Sequence, residues 1–321
     1  MGFVIMGAGA VGGVIGARLA QRGHEVVLVA RGEHLAAIQE RGLSLLSSES
    51  EETLSLPATD DPTTLDIGGN DVVILAVKGQ DTESALGSLA ARAPCDVALV
   101  CAQNGVANER KGLRHFARVY GAVVMCPAGF LEPGTVIAYS SPITGIIDVG
   151  RYPEGSDALA RELATTLTSC GFASRAREDV MRWKYRKLLQ NLTNVIEALC
   201  GPEARSGPIA ELAIAEGEAC LEAAGVDVAS AEEDRKRRGD LLKLEPIGKL
   251  TWKPSSSWQS LARHAGTIEV DELNGEIVLL GRLHGIATPV NELLQRTAHR
   301  LAHERAEPGS LTERDLLGEL D

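Results

Sequence analysis

The stretch GFVIMGAGAVG at residues 2–12 decides the fold of this chain. Residues 2–6 form a short apolar run, which is typical of a buried parallel strand, and a glycine turn follows at once. Residues 11–22 are helix-like and rich in small side chains, and residues 25–30 form a second strand. A strand, a glycine turn, a helix and a strand within about 30 residues indicate a dinucleotide-binding βαβ unit.

The glycine spacing explains how the turn would hold a dinucleotide. Gly7 permits the tight turn out of the strand, Gly9 lets the backbone approach a pyrophosphate, and Gly12 lets the helix pack on the sheet. The helix N-terminus adds unpaired N–H groups and the positive end of its dipole. The predicted cofactor-binding segment is therefore Gly7, Ala8, Gly9, Ala10, Val11 and Gly12.

The end of the second strand selects between the two nicotinamide dinucleotides. NAD-binding folds usually place an acidic residue there, whereas this chain has Arg31. A guanidinium suits a 2′-phosphate, so Arg31 favours NADP(H). The alternative is a solvated surface arginine, and Glu33 lies only two residues further on.

Strands and helices continue to alternate up to about residue 150. Two polar segments follow strand ends, where open parallel sheets bind ligands. The first contains Lys78, which could meet a phosphate, a ribose or an anionic substrate, or could simply start a surface helix. The second contains Asn104, which could present its amide to ribose or nicotinamide, or could form a plain turn. The predicted strands are 71–77, 97–101 and 119–123, and the predicted helix is 81–93.

The second half of the chain has a helical pattern. Residues 135–149 still resemble strands, but strand patterns nearly vanish after residue 179. The predicted fold class is therefore α/β, with an N-terminal Rossmann-type doubly wound sheet over residues 1–175 and an all-helical C-terminal domain over 176–321. The predicted helices are 156–169, 179–200, 207–225, 229–242, 256–265, 267–284 and 289–304.

The helix over residues 181–199 is the most informative of these. Its aliphatic side chains share one face, and a narrow neighbouring stripe holds Lys184, Lys187, Asn191 and Asn194. Asparagine is a mediocre helix former, so two on one stripe suggest a polar ligand beside a lysine that supplies a proton or a charge. A solvent-facing polar stripe is the alternative.

Composition excludes several other functions. The net charge is −12, which argues against a nucleic-acid binder that works by bulk electrostatics. Only 3% of residues are aromatic, so a base-stacking platform is not expected. The sequence has no CxxC pair and no uncharged apolar run of about 20 residues. We therefore expect a cytoplasmic protein without a metal site or a membrane segment.

With these residues in place, the chain resembles the 2-dehydropantoate 2-reductases, also called ketopantoate reductases. The resemblance runs almost end to end and in order. Its motifs are the glycine turn at 7–12, Arg31, Lys78 in AVKGQDT, Asn104 in QNG, KLLQN at 187–191, Ser257 in SSSWQSL, Glu269 twelve residues later, LNG at 273–275 and HGIATP at 284–289.

The resemblance implies an NADP-binding Rossmann domain, a helical domain, and a 2-keto acid bound between them. It implies hydride transfer from NADPH to 2-dehydropantoate, giving pantoate, in pantothenate biosynthesis. Lys187 is then the general acid and Glu269 orients groups around it. By the same resemblance the substrate is held by Asn191, Asn194 and Ser257, while Lys78 and Asn104 lie where cofactor and substrate meet.

Three departures from the family pattern leave the substrate open. Lys184 directly follows Trp183 and competes with Lys187 for the role of proton donor. Glu197 places a carboxylate one turn from the pocket, and residues 244–254 have the character of an insertion. A related reductase of another small oxo or hydroxy acid is therefore one alternative, and a catalytically silent NADP(H)-binding sensor is another. The sequence permits a homodimer without requiring one.

Overall fold

A computed structural model describes residues 1–248 and 255–320, which divide into two compact units. The sheet unit consists of Met1–Gln103, Asn108–Met181 and residues 232–248. The helical unit consists of Asn104–Ala107, Arg182–Ala231 and residues 255–320. Each unit is described separately below.

The strands carry most of the sheet unit. In chain order they are β1 (Phe3–Met6), β2 (Val26–Val29), β3 (Leu43–Ser47), β4 (Glu51–Leu54), β5 (Ala58–Thr59), β6 (Val72–Leu75), β7 (Ala98–Cys101), β8 (Arg118–Met125), β9 (Ala128–Glu132), β10 (Thr135–Ala138), β11 (Gly145–Arg151) and β12 (Phe172–Ala173).

The helices are α1 (Ala10–Gln21), α2 (Gly32–Arg41), α3 (Thr82–Ala90), α4 (Asn108–Gly112), α5 (Ala158–Ser169), α6 (Val180–Asn191), α7 (Thr193–Cys200), α8 (Pro208–Ala223), α9 (Ala231–Arg238), α10 (Ser256–Ala262), α11 (Asn274–His284), α12 (Pro289–His303) and α13 (Glu313–Gly318).

The larger sheet has the strand order of a doubly wound dinucleotide-binding fold. Its order is β12-β11-β8-β7-β6-β1-β2-β5, and its pairs are parallel except for β8 with β11. The order reverses at β1, which lies between β2 and β6. Ligands bind such sheets beyond the carboxyl ends of the strands at this switch point. The predicted fold class is therefore confirmed, and β1, β2, β6 and β7 end next to the predicted site residues.

Small residues let α1 pack closely on two sheets. A Cβ atom at Gly16 would lie 2.9 Å from the side chain of Leu28 in the larger sheet. A Cβ atom at Gly13 would lie 2.8 Å from Val136 in a second sheet of order β4-β3-β10-β9. Gly13 and Gly16, which follow the turn glycines along the helix, thus allow close helix–sheet contact on both sides of α1. The sequence analysis did not predict strands β3 and β4 of the second sheet.

Residues 232–248 belong to the sheet unit although they follow residues of the helical unit along the chain. Arg237 and Asp148 form a buried ion pair with an Nη2–Oδ1 distance of 2.6 Å. Arg177 contacts the same carboxylate at 2.8 Å. Removing one partner of such a buried pair costs about 3–5 kcal/mol. The buried ion pair therefore holds this segment on β11.

The helical unit confirms most of the predicted helices. Its core comprises apolar side chains of α7, α8 and α12, including Ile196, Ile209 and Leu294. Carboxylates cap two of these helices, since Glu216 accepts the N–H groups of Val290 and Asn291 and Glu313 accepts that of Ile209. These caps satisfy N–H groups that have no partner within their own helix.

Two predicted helices differ from the structure. The helix predicted over 179–200 is divided at Leu192, where the hydroxyl of Thr193 donates to the Gln190 carbonyl at 3.1 Å and competes with the regular ladder. The helix predicted over 267–284 begins only at Asn274. Apolar residues at 268 and 270 fit a helical pattern in sequence, yet they are buried in a turn instead.

Two further observations bear on the compartment and on the cysteines. Across residues 1–248 and 255–320, no helix is long and apolar enough to cross a membrane. The cysteines are free thiols, and burial raises the pKa of Cys126 and Cys220. These thiols are packing groups and not nucleophiles.

Candidate active site

The glycine turn between β1 and α1 has the geometry that a pyrophosphate needs. Gly7 has a φ of +101°, and a Cβ atom there would lie 2.8 Å from the Val77 nitrogen. A Cβ atom at Gly12 would lie 2.1 Å from the Gly7 carbonyl oxygen. At Gly9, by contrast, a Cβ atom would meet nothing within 4 Å. Gly7 and Gly12 thus build the turn, while Gly9 leaves space for a ligand.

The start of α1 is open to an anion. Gly9 is its N-cap and offers no side-chain cap, and the first turn contains no acidic residue. Uncapped N–H groups and the helix dipole favour a phosphate at such an end. The residues present therefore fit the diphosphate of a dinucleotide cofactor.

Arg31 lies immediately beyond β2, at the N-cap of α2. Its side chain is exposed and, among the described residues, makes no hydrogen bond or ion pair. Gly32 follows with a φ of +57°, which turns the chain into the helix. A guanidinium that is not engaged by the protein suits a 2′-phosphate, and Glu33 lies in the first turn of the same helix.

A buried polar network joins the loops that follow β6 and β7. The amide nitrogen of Gln103 donates to the Val77 carbonyl and to the Thr82 hydroxyl, each at 2.8 Å. The Thr82 hydroxyl donates in turn to Asn108 at 2.9 Å. Lys78 is half-buried beside this network, ahead of a single 3-10 turn. The network gives Lys78 a fixed backbone, which the sequence analysis did not foresee.

Asn104 and its neighbours belong to the helical unit. Gly105 has a φ of +79°, and a Cβ atom there would lie 2.7 Å from the carbonyl oxygen of Glu272. The turn predicted at Asn104-Gly105 is therefore present, and its glycine is required by both backbone conformation and space. Asn104 itself is half-buried.

Helix α6 carries both candidate proton donors. Lys184 is buried with 3% of its surface exposed, whereas Lys187 is half-buried. Asn191 ends the helix and is 4% exposed. Of the four side chains of the predicted stripe, Lys184, Asn191 and Asn194 are thus buried, and Lys187 is partly exposed.

Four side-chain polar atoms of the helical unit, on Arg186, Asn191, Ser257 and Asn274, are buried without a hydrogen-bond partner among the described residues. Two of them belong to predicted substrate residues. They are the amide nitrogen of Asn191 and the hydroxyl of Ser257 on α10, whose residue is 1% exposed. Buried polar groups are nearly always satisfied, so each orphaned group needs an explanation. Both residues were predicted as substrate-binding residues, and a bound polar ligand would supply the missing partners.

Glu197 is engaged by the protein. Its carboxylate accepts from Arg205 at 3.0 Å and from the Ser255 backbone N–H at 2.9 Å. The Asn194 side-chain oxygen also accepts from Arg205, at 3.3 Å. The charge of Glu197 is therefore compensated, and one acceptor position of the Asn194 side-chain oxygen is occupied by Arg205. Sequence reasoning missed Arg205, which lies in a short 3-10 segment without a periodic signal.

Glu269 is 9% exposed and lies five residues before α11 begins. The helix predicted over 267–284 would have placed Glu269 near its start, where an acid favours the helix dipole. The helix starts only at Asn274, so Glu269 does not have that role. Of the insertion-like stretch, residues 249–254 lie outside the described residues, and Leu244 forms an isolated bridge with Ser140.

His34 in α2 was also missed. Its ring nitrogens contact the Ala8 carbonyl oxygen at 2.7 Å and the Gly134 backbone nitrogen at 2.9 Å. Gly134 is a hundred residues away along the chain. No local pattern in a sequence reports such a contact, so only the structure could find it.

Comparison with known proteins covers both units. A family model described as ketopantoate reductase PanE/ApbA matches residues 3–154, and the model of its C-terminal part matches residues 179–302. The 2-dehydropantoate 2-reductase of Archaeoglobus fulgidus is 31% identical over 300 residues, which cover 90% of this chain and 94% of that protein. That of Pyrococcus horikoshii is 29% identical, covering 92% and 95%.

Two solved structures extend the likeness to three dimensions. A PanE/ApbA family ketopantoate reductase from Ralstonia eutropha is 28% identical with a TM-score of 0.80, covering 95% of this chain and 99% of that one. A ternary structure of D-mandelate dehydrogenase with NADH and anilino(oxo)acetate is 25% identical with a TM-score of 0.82, at the same coverage. The same architecture thus occurs in proteins named for different hydroxy acids.

Proposed function

The chain belongs to the ketopantoate reductase family of oxidoreductases, and from that premise we propose that it reduces 2-dehydropantoate to pantoate with NADPH. The observation that carries the proposal is the pair of buried, unpartnered polar groups on Asn191 and Ser257. Both residues match positions that the family resemblance assigns to the substrate. The proposed product places the reaction in pantothenate biosynthesis.

The proposed cofactor is supported by the sheet unit. The open N-terminus of α1 suits the pyrophosphate, and the unengaged Arg31 suits a 2′-phosphate. When bound, NADPH supplies the hydride. The structural neighbour D-mandelate dehydrogenase holds NADH, so the preference for NADPH depends on Arg31.

Lys187 is proposed as the proton donor. Hydride addition to a ketone places negative charge on its oxygen, which an ammonium within hydrogen-bond reach stabilises and protonates. Lys187 is half-buried on α6, within one turn of Asn191 at the helix end. Lys184 is the rival donor and is buried on the same helix. Glu269 is proposed to orient groups around the donor.

Substrate charge is compatible with this site. A 2-keto acid is an anion, and the chain as a whole is acidic. In the helical unit, Lys184 and Lys187 supply positive charge on α6, and Arg205 compensates Glu197. Glu197 is therefore not expected to repel a carboxylate.

A second candidate function is the reduction of another 2-keto acid, such as phenylglyoxylate, the 2-keto acid that corresponds to mandelate. The observation that favours it is the TM-score of 0.82 with D-mandelate dehydrogenase over 95% of this chain. A catalytically silent dinucleotide sensor is a weaker candidate, since dinucleotide binding would not need the buried polar groups of Asn191 and Ser257. Homodimerisation and a cytoplasmic location stay predictions from the sequence.

The deciding experiment measures loss of NADPH absorbance with a panel of 2-keto acids. We expect the highest kcat/KM for 2-dehydropantoate. Higher kcat/KM for phenylglyoxylate or another 2-keto acid would assign the chain to the second function. NADPH binding without turnover on any acid would contradict both enzymatic functions and favour the sensor.

A further inference from the structure

The hydrogen bonds of His34 fix its protonation state. A backbone N–H can only donate, so the ring nitrogen that faces Gly134, Nδ1, must accept. A carbonyl can only accept, so Nε2, which faces Ala8, must carry the hydrogen. His34 is therefore a neutral imidazole in its Nε2–H tautomer. A doubly protonated ring would set two donors against each other at Gly134.

The ring is also held by packing. Phe130 on β9 meets it edge to face, with ring centroids 4.7 Å apart. Gly134, in the turn between β9 and β10, has a φ of +87°, and a Cβ atom there would lie 3.0 Å from Ala37 of α2. His34 therefore connects three parts of the sheet unit: the glycine turn, helix α2 and the β9–β10 hairpin.

The bond to Ala8 sets the orientation of a peptide plane in the glycine turn. In a trans peptide the Ala8 carbonyl and the Gly9 N–H point in opposite directions. With the carbonyl held by His34, the Gly9 N–H must point away from the ring. Among the described residues this N–H has no acceptor, and the space around Gly9 is open. A flipped plane would instead aim a carbonyl oxygen at a bound phosphate.

We propose that His34 is a positioning residue for the cofactor, which holds the Ala8–Gly9 peptide with its N–H toward the pyrophosphate. This inference rests on the proposed dinucleotide function. His34 lies in the helix that Arg31 caps, yet the two residues act on different groups. The pyrophosphate is common to NADPH and NADH, whereas the 2′-phosphate is present only in NADPH. Loss of His34 should therefore weaken both dinucleotides equally.

Protonation of His34 should have the same effect as its removal. Burial lowers the pKa of His34, and its bond to the Ala8 carbonyl opposes this in part. The charged residues of the packed elements are Arg31 at the N-cap of α2, Glu33, Glu40 and Arg41 in α2, and Glu132 in β9; all are exposed, and the glycine turn has none. The neutral form is therefore favoured in the fold. Its stabilising contribution is present above the ordinary histidine pKa and is lost as pH falls through the lowered value.

The test compares His34→Gln with His34→Ala. A glutamine amide can accept from Gly134 and donate to Ala8, but it does not titrate. By fluorescence titration we expect His34→Ala to raise the dissociation constants of NADPH and NADH by about tenfold each, the scale of two lost neutral hydrogen bonds. His34→Gln should restore both to within about threefold of the wild type.

The matched control is His24→Gln. His24 also packs edge to face on a phenylalanine, Phe3, but at the opposite end of β1 from the glycine turn. This variant should bind both dinucleotides as the wild type does. Thermal unfolding of every variant shows whether the sheet unit is intact.

The pH profile is measured with NADH, because the 2′-phosphate of NADPH titrates near the same range. Between about pH 5 and pH 8, where a histidine changes charge, wild-type affinity should fall with falling pH while His34→Gln stays flat. If His34→Ala is unstable, the comparison of the wild-type and His34→Gln pH profiles is sufficient to test the inference. The inference is overturned if wild type and His34→Gln lose NADH affinity in parallel as the pH falls. It is also overturned if His34→Gln is folded and weakens dinucleotide binding as much as His34→Ala does. A wild type that binds neither dinucleotide overturns the proposed function as well.

Discussion

The two units build their candidate site residues by different means. In the sheet unit the cofactor residues act largely through backbone: Gly7 and Gly12 shape the turn, and Gly9 leaves it open. In the helical unit the candidate groups are side chains, and Asn191 and Ser257 bury polar atoms that the protein leaves without partners. A site made of backbone tolerates divergence elsewhere, whereas a site made of side chains changes with each substitution. This agrees with one fold occurring in proteins named for different hydroxy acids.

The largest expected effect belongs to the helical unit. Lys187→Ala should lower kcat by about 10²-fold or more, the scale of a lost general acid, while the dissociation constant of NADPH stays within about twofold. Steady-state kinetics and fluorescence titration measure the two quantities. Lys184→Ala is the comparison on the same helix. If that variant loses turnover and Lys187→Ala does not, Lys184 is the proton donor.

The second-largest effect is expected in the sheet unit, at Arg31, the side chain proposed to bind the 2′-phosphate. Arg31→Ala should raise the dissociation constant of NADPH by about 10- to 100-fold, as expected for a lost charge-assisted hydrogen bond. NADH binding should change by no more than about twofold. Arg41→Ala, at the exposed other end of α2, controls for surface charge. Equal weakening of both dinucleotides would contradict the assignment of Arg31 to the 2′-phosphate.

A smaller effect tests whether the orphaned groups serve a ligand. Ser257→Ala should raise KM for the keto acid by about fivefold to tenfold, because one neutral hydrogen bond to the substrate would be lost. Its free energy of unfolding should not fall, because the hydroxyl has no partner among residues 1–248 and 255–320. Ser260→Ala on the same helix is the control. The Ser260 hydroxyl donates to the Ser256 carbonyl at 2.9 Å, so this variant should lose about 1 kcal/mol of stability and keep its KM.

The smallest kinetic effect is expected at Glu197. Glu197→Gln should change KM for an anionic keto acid by no more than about twofold, because Arg205 already compensates the carboxylate. Thermal unfolding should show a modest loss of stability, since a neutral amide would weaken the hydrogen bonds from Arg205 and from the Ser255 N–H. A KM that falls tenfold would mean that Glu197 faces the substrate as an uncompensated charge.

The sheet unit was largely predictable from sequence because its signals are local. The strand–turn–helix–strand unit, the glycine spacing and the position of Arg31 all follow from the short stretch at residues 2–31. Strands β3 and β4 of the second sheet were not predicted, because they are short and β4 is mostly exposed. The contact of His34 was not predicted, because its partner Gly134 is a hundred residues away along the chain.

In the helical unit the helices were predictable and their contacts were not. The periodicity of residues 181–199 found Lys187 and Asn191, but it could not show that Arg205 engages Asn194 and Glu197. In the charged helix α9, the local sequence pattern indicates the wrong environment for one residue. Its sequence AEEDRKRR is typical of a solvated surface, yet Arg237 is buried against Asp148. Burial of a charge depends on tertiary partners that a local pattern does not contain.

The ion pair between Asp148 and Arg237 limits how this architecture can be divided or recombined. A fragment that ends at residue 181 would contain every strand of the larger sheet but would leave the buried Asp148 with Arg177 alone. A chimera that exchanges helical units with a relative would need to keep residues 232–248 with their own sheet. The sheet unit is thus assembled from segments that are far apart along the chain, and a single cut in the sequence does not separate the two units.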